Sequence, residues 1–284
     1  MNPPKITVDL VRAMIADQFP QWASLPIRPV ATSGWDNRTF HLGDEMSVRL
    51  PSAAHYAAQV DKEQIWLPRL APHLPLPIPV PIAMGQPSCG YPYRWSVMPW
   101  LAGTSANDAE ETDKHAIAAQ LAAFLRALHA APVLGGPPPG AHNFYRGGDL
   151  KIYQDDVTRC INTLGDRVDA AQIRAIWDRA IATSWAAAPV WLHGDVAPGN
   201  FLIADNQLSA VIDFGGCGIG DPACDLTITW TYFDGPARAE FILHMGYDTD
   251  TWARAKGWGI WKALLRVCDD HAPIGVLVAY LSEF

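Results

Sequence analysis

Two short segments hold the residues best suited to chemistry. The first is His193-Gly194-Asp195-Val196-Ala197-Pro198-Gly199-Asn200; the second is Val211-Ile212-Asp213-Phe214-Gly215. Each is expected in a loop at the end of a strand, so that two carboxylates and an amide fall within one hairpin-like unit. Asp213 and Asn200 offer hard oxygen atoms, which suit Mg²⁺ holding the phosphates of a nucleotide. Asp195 lies five residues before Asn200. It is placed to take the proton of an attacking hydroxyl while the metal neutralises charge on the transferred group. Gly194, Gly199, Gly215 and Gly216 allow tight backbone turns beside a ligand. Either aspartate alone reads as a solvated turn residue. Together, in this order and at this spacing, they read as a site for phosphoryl transfer.

The elements that must position these residues follow from hydrophobic periodicity. Residues 7–19 read as a helix with Leu10, Val11, Met14, Ile15 and Phe19 on one face. Residues 27–30, 39–42 and 47–50 read as strands, and Pro51 ends the last. Residues 54–67 read as a helix carrying Tyr56, Val60 and Leu67, which Pro68 kinks or restarts. Residues 72–81 contain five prolines and are expected to be extended. Residues 93–98 give a further strand. Beyond Gly103 the pattern turns helical. Residues 114–129 place Ile117, Leu121, Phe124, Leu125 and Leu128 on one stripe. A Pro/Gly-rich loop is expected over 132–148, then a helix over 169–185 with Asp169 as N-cap and Gln172 three residues on. Short strands are expected at 190–192, 201–203 and 210–212, and helices at 237–244, 251–268 and 274–281. Strands dominate the first hundred residues and helices the rest, an α+β plan in two lobes that join near Met98–Gly103.

Composition narrows the possibilities. At about 150 residues per domain, a chain of 284 residues makes roughly two domains or one bilobal unit. The net charge of -8 argues against duplex nucleic acid as a partner, because that needs a basic face. Five cysteines with no Cys-x-x-Cys pair argue against a disulfide framework or a structural zinc site. No apolar run reaches the roughly 18 residues needed to cross a bilayer, and the first residues lack a signal-peptide pattern. The expectation is a cytoplasmic protein with neither a nucleic-acid nor a membrane partner.

The His-Gly-Asp-x-x-x-x-Asn and Ile-Asp-Phe-Gly segments are followed by Gly220-Asp221-Pro222-Ala223-Cys224-Asp225-Leu226. Together they resemble the aminoglycoside phosphotransferase family, small-molecule kinases similar in fold to protein kinases. The resemblance is dense over 190–230 and loose elsewhere. It implies a bilobal α+β fold with an N-terminal nucleotide-binding lobe over 1–98, a hinge over 99–103 and a C-terminal catalytic and acceptor-binding lobe over 104–284. It implies Asp195 as catalytic base, Asn200 and Asp213 as Mg²⁺ ligands, and ATP or GTP as co-substrate. Asp221 and Asp225 are expected to brace the loop through backbone N–H groups, and His193 to orient it by hydrogen bonding.

In the N-terminal lobe, Ser33-Gly34-Trp35-Asp36-Asn37 stands where the family carries its nucleotide-covering loop. Its small and polar residues can present N–H groups to phosphate; the alternative is an ordinary polar hairpin. The third strand reads Ser47-Val48-Arg49-Leu50, so Arg49 stands where the family has a lysine, and Glu63 on the next helix is its matching acid. Arginine keeps the charge but is longer and planar. Around 96–103, Met98 is expected beside the purine, with the Pro99 carbonyl and the Leu101 N–H facing its hydrogen-bonding edge. The loop over 142–149 closes over an acceptor or is a surface loop tucked in by Phe144 and Tyr145. Trp230 and Tyr232 are candidates for the acceptor pocket. Asp269, Asp270 and Glu283 meet a cationic acceptor or form a solvated acidic end. The implied reaction is transfer of the γ-phosphoryl group to a hydroxyl of a small molecule: an aminoglycoside, a macrolide or a related metabolite. The alternative, prompted by Arg49, is a nucleotide-binding regulatory protein with little transfer.

Overall fold

The structure, a computed structural model, describes residues 5–31, 34, 36–110 and 112–284. Helix α1 (Val8–Gln18) starts where Thr7 accepts the Leu10 N–H, and it buries Val11, Met14 and Ile15. It lies on a five-stranded antiparallel sheet in the order β1-β2-β3-β5-β4. The strands are β1 (Ile27–Pro29), β2 (Asn37–Leu42), β3 (Met46–Pro51), β4 (Ala83–Gly85) and β5 (Trp95–Pro99). Strands β2 and β3 pair in full register from Asn37 with Pro51 to Leu42 with Met46. The turn between them opens at Gly43, whose φ of 65° an L side chain rarely adopts. Alternate residues of these strands (Phe40, Leu42, Val48, Leu50, Val97) form one apolar cluster with the buried face of α1.

Helix α2 (Ala57–Leu70) follows a short 3-10 turn at Ala54–Tyr56 and carries Pro68 within its last turn. Its buried face includes Gln59, Lys62 and Glu63, spaced i, i+3, i+4. That spacing ordinarily bears apolar residues. Here the inward stripe is polar, because it faces the site instead of a core.

The rest of the chain is mainly helical. After β6 (Thr104–Ser105) come α3 (Lys114–Ala130), α4 (Gln154–Leu164) and α5 (Ala170–Ile181). Strands β7 (Val190–Leu192), β8 (Phe201–Ala204), β9 (Gln207–Val211) and β10 (Gly218–Gly220) precede α6 (Ile228–Thr231), α7 (Gly235–Met245), α8 (Thr249–Cys268) and α9 (Gly275–Leu281). One large apolar cluster joins α3, α4, α5 and α8, centred on residues such as Leu121, Phe124, Trp177, Phe201 and Leu264. The arrangement is a bilobal α+β fold.

The strand and helix expectations hold in outline, with shifted ends. Asp169 caps α5 through the Gln172 N–H at 2.9 Å, but the helix ends at Ile181, not at residue 185. Residues 132–148 run as a loop apart from a 3-10 turn at Ala141–Asn143. Helix α4 was not foreseen, although Val157, Cys160, Ile161 and Leu164 give it an i, i+3, i+4, i+7 apolar stripe.

Candidate active site

The two motif segments meet in a cleft of about 350 Å³. Strands β8 and β9 form the hairpin that brings them together, pairing Phe201 with Val211. The backbone N–H of Ile212 then donates to the Asn200 carbonyl at 2.8 Å, which ties the end of one segment to the start of the other. Gly34, Asp36, Phe144, Asp195, Asn200 and Asp213 are among the lining residues.

Within the 193–200 loop almost every polar group has a task. The buried carboxylate of Asp225 accepts the backbone N–H of His193 and of Gly194, each at 2.7 Å. His129 Nε2 lies 3.3 Å from the same carboxylate. The His193 ring is buried and donates from Nε2 to the Ile212 carbonyl at 2.9 Å, while Nδ1 accepts the Asp195 N–H at 3.2 Å. His193 therefore holds the loop and points no nitrogen at the cleft. Gly194 has φ +84°, and a Cβ there would lie 2.2 Å from the Gly216 carbonyl oxygen. The two loops approach too closely for any other residue.

Asp221 has a different place from the one expected. It caps its own turn, accepting the Ala223 N–H at 3.0 Å, and its carboxylate takes Arg254 Nε at 2.6 Å. Of these two aspartates, Asp225 is the one that braces the 193–200 loop directly.

The Asp195 carboxylate is divided between two partners. Asn200 Nδ2 donates to Oδ2 at 3.3 Å and to the Asp195 carbonyl at 2.8 Å. Oδ1 accepts from Lys262 Nζ of α8. Burial works to raise this carboxyl. The Lys262 ammonium, helped by Arg146 and His193, overcomes it and brings the group down to about 2. Arg146 comes from the 142–149 loop. Its Nε donates to the Gly194 carbonyl at 3.0 Å, and its guanidinium lies over Trp261 at 4.7 Å and Trp258 at 5.4 Å.

Across the cleft, Asp213 stands at φ +65° in the left-handed region, a strained backbone of the kind found at functional sites. Arg49 joins it to the first lobe: NH2 donates to Asp213 Oδ1 at 3.1 Å and NH1 to Glu63 Oε1 at 3.4 Å. The expected Arg49–Glu63 pair therefore forms, and the same guanidinium also reaches Asp213. Glu63 is raised by its burial, against the pull of Arg49. Asp36 is likewise raised, first by burial and then by the charge of Asp213. Lys62 supports the second loop from below, donating to the carbonyls of Gly215 at 2.6 Å and Cys217 at 3.0 Å. Burial holds this ammonium below its ordinary value.

Of the other expected residues, Gly34 lines the cleft and Asn37 donates to Asp36 Oδ2 at 3.0 Å. Ser33 and Trp35 lie outside the described residues. Met98 is buried in β5, opposite Ser47. Met98, Pro99 and Leu101 are not among the residues lining the cleft. Trp230 packs against Trp252, Tyr280 and Phe284, and Tyr232 against Phe201 and Phe233. Neither lines the cleft. Asp269 pairs with Arg159 and Glu283 with Arg238. Sequence reasoning passed over Asp36 and Gln59 as site residues, and Lys62, Arg146 and Lys262 in their present roles. Among these, the polar i, i+3, i+4 stripe on α2 was a readable signal; Lys262 gave none, since only the tertiary fold brings it to Asp195.

The donor set suits Mg²⁺. Asn200 commits its amide nitrogen to Asp195, which leaves its carbonyl oxygen, and Asp213 adds a carboxylate. Among the described residues no group of three or more His, Cys, Asp or Glu forms a dedicated metal cage. Two oxygens without a cage match an ion that keeps waters and takes phosphate oxygens for the rest of its shell.

The family model described as "Phosphotransferase enzyme family" matches residues 27–258. The chain belongs to the phosphotransferase enzyme family. It is an enzyme of the small-molecule kinase class, and the match takes in Asp195, Asn200 and Asp213 but ends before Lys262. No curated protein sequence matches it significantly. Among solved structures, it is similar to the GDP complex of wild-type aminoglycoside 2'-phosphotransferase-IIIa, with a TM-score of 0.73 at 19% identity over 98% of each chain. The GDP and kanamycin complex of APH(2")-IIia gives 0.71 at 20% identity, over 96% of this chain and 97% of that one. Macrolide 2'-phosphotransferase type I gives 0.66 at 21% identity, over 100% and 98%. At these identities the likeness establishes the phosphotransferase fold.

Proposed function

We propose that this phosphotransferase moves the γ-phosphoryl group of ATP or GTP to a hydroxyl of a small molecule, with Asp195 as the base and Asn200 and Asp213 as the Mg²⁺ ligands. In this reading residues 1–98 hold the nucleotide through Gly34, Asn37, Arg49, Glu63 and Met98, residues 99–103 act as a hinge whose Pro99 and Leu101 backbone also meets the nucleotide, and residues 104–284 hold the acceptor. One observation carries it: Asp195 and Asp213 face a common cleft from two loops that Asp225, His193 and Lys62 hold rigidly. Bound Mg²⁺ would neutralise charge on the phosphates. Asp195 takes the proton of the acceptor hydroxyl as its oxygen bonds to the γ-phosphorus. The bond from that phosphorus to the β–γ bridging oxygen breaks, and the electron pair leaves with the nucleoside diphosphate. No covalent enzyme intermediate is required, and positioning and charge neutralisation supply most of the rate. GDP in two structural neighbours supports a nucleotide co-substrate, and kanamycin in one of them supports a small-molecule acceptor.

The test is nucleoside diphosphate release with Mg²⁺ across aminoglycosides, macrolides and small hydroxylated metabolites, run beside Asp195→Asn. The expected result is release stimulated by one acceptor class and reduced by about a hundredfold or more in the variant, the scale of a lost general base. An Asp195→Asn enzyme that turns over like the wild type would show that another group takes the proton.

A further inference from the structure

Three carboxylates line the cleft, from Asp36, Asp195 and Asp213, and among the described lining residues Arg146 is the one cation. Charge that develops on a phosphoryl group in transfer is stabilised by fixed donors aimed at it, in addition to Mg²⁺. The neighbouring cations are engaged. Arg49 spends NH1 on Glu63 and NH2 on Asp213, Lys262 is bonded to Asp195, and Lys62 donates to the Gly215 and Cys217 carbonyls.

Arg146 differs from all three. Its Nε donates to the Gly194 carbonyl at 3.0 Å, but no carboxylate of the described residues is hydrogen-bonded to it, and NH1 is buried without a partner there. NH2 has no partner among them either, and it is not buried. The charge rests instead on the faces of Trp261 and Trp258, at 4.7 and 5.4 Å. Aromatic faces steady a guanidinium without consuming its N–H groups, so these stay available to an incoming anion.

The position of Arg146 fits that use. Its anchor, Gly194, is the residue before Asp195. The Arg146 Cβ lies 3.3 Å from the point where a Gly194 Cβ would stand, the same point that the Gly216 carbonyl oxygen approaches to 2.2 Å. The arginine therefore stands where the loop of Asp195 touches the loop of Asp213. A phosphoryl group that passes from a nucleotide held at Asp213 to a hydroxyl beside Asp195 crosses this junction. The 142–149 loop is itself held at both ends: Lys62 Nζ lies 3.4 Å from His142 Nδ1, and the Gly147 carbonyl accepts the Asp221 N–H at 2.8 Å. The guanidinium is thus placed before any ligand arrives.

We infer that Arg146 is a catalytic residue that binds the γ-phosphoryl group during transfer and stabilises the charge on its oxygens. The inference rests on the phosphoryl-transfer reading above. No proton passes to or from the guanidinium, which stays charged throughout; Asp195 alone takes the proton of the acceptor hydroxyl.

A binding measurement on the full chain tests this without an acceptor. ADP or GDP with Mg²⁺ and aluminium fluoride mimics the phosphoryl group in transfer, whereas the diphosphate with Mg²⁺ alone does not. In the wild type, fluoride should tighten nucleotide binding at least about tenfold, as a transition-state mimic does. In Arg146→Met the gain should shrink to less than about twofold, while the affinity for the Mg·diphosphate alone stays within about threefold. Turnover should fall about a hundredfold or more, the scale of one lost oxyanion donor. Arg146→Gln is neutral, yet its amide nitrogen can still donate to the Gly194 carbonyl. It should show the same losses, which separates charge on the phosphoryl group from support of the loop. A fluoride gain retained in either variant overturns the inference. So does a diphosphate affinity that falls as far as the fluoride-dependent one, or a wild type that binds Mg·diphosphate but gains nothing from fluoride. Failure of the wild type to bind either Mg·diphosphate instead overturns the phosphoryl-transfer reading beneath it.

Discussion

Arg49 shows how one side chain ties chemistry to stability. Its guanidinium spans Glu63 and Asp213 with two nitrogens, and the Glu63 side chain is only 5% exposed. A lysine ammonium is shorter and cannot span the two carboxylates with separate nitrogens. Arg49→Met leaves Glu63 buried without this partner and beside the negative charges of Asp213 and Asp36. The expected loss is about 3 kcal/mol or more, seen as a melting temperature lower by roughly 6 °C or more. Arg49→Lys should recover most of that loss, since one ammonium still offsets Glu63. A Met variant that melts with the wild type would show that the pair contributes nothing to folding. The residue types and spacing of Asp195, Asn200 and Asp213 were legible in the sequence because they are local. The partners of Arg49 and Asp195 were only half legible. Glu63 follows from its place on the helix after the Arg49 strand, whereas Lys262 lies 67 positions from Asp195 along the chain. No local pattern announces such a contact.

At the scale of elements, the 193–200 loop owes its shape to a carboxylate outside it. Asp225 sits in the 3-10 turn at Pro222–Thr227 and accepts two backbone N–H groups of that loop at 2.7 Å each. Asp225→Ala leaves both N–H donors buried without an acceptor, at about 1–3 kcal/mol for each unsatisfied group, and takes from His129 its Nε2 contact while Nδ1 keeps Tyr247. The loop should relax away from the geometry that aims Asp195. Turnover is then expected to fall at least about tenfold while the nucleotide KM changes little, because positioning acts on the transferring step. Asp225→Asn retains one acceptor oxygen and should fall between the two. A variant with reduced stability but undiminished turnover would mean that the loop holds its own shape. Sequence pattern gave the strands around this loop and the cap of α5, since both depend on neighbours within a few residues. It missed α4, whose apolar stripe is short and opens with Gln154, Asp155 and Asp156, a run that reads as loop. It assigned Asp221 and Asp225 a shared role, because only the fold shows that Arg254 of α8 takes one of them.

On the scale of the whole molecule, the first sheet and the helical lobe have separate apolar clusters. Polar contacts bridge them at the cleft: Arg49 with Asp213, and Lys62 of α2 with the carbonyls of Gly215 and Cys217. A ligand held by Gly34 and Arg49 on one side and by Asp213 on the other adds to this bridge and binds only the folded chain. At a concentration one hundredfold above Kd, such a ligand stabilises by about 2.7 kcal/mol, or roughly 5 °C in melting temperature for a chain of this size. Mg·ATP or Mg·GTP should produce that shift, and chelating the metal should remove most of it. The two aspartates should then separate. Asp195→Asn keeps the shift because the base does not hold the nucleotide, whereas Asp213→Asn loses most of it together with the metal. A full shift in Asp213→Asn would move the metal site elsewhere. A shift lost equally in both variants would mean that the two carboxylates hold the nucleotide jointly, and the division of labour between base and metal ligand would fail.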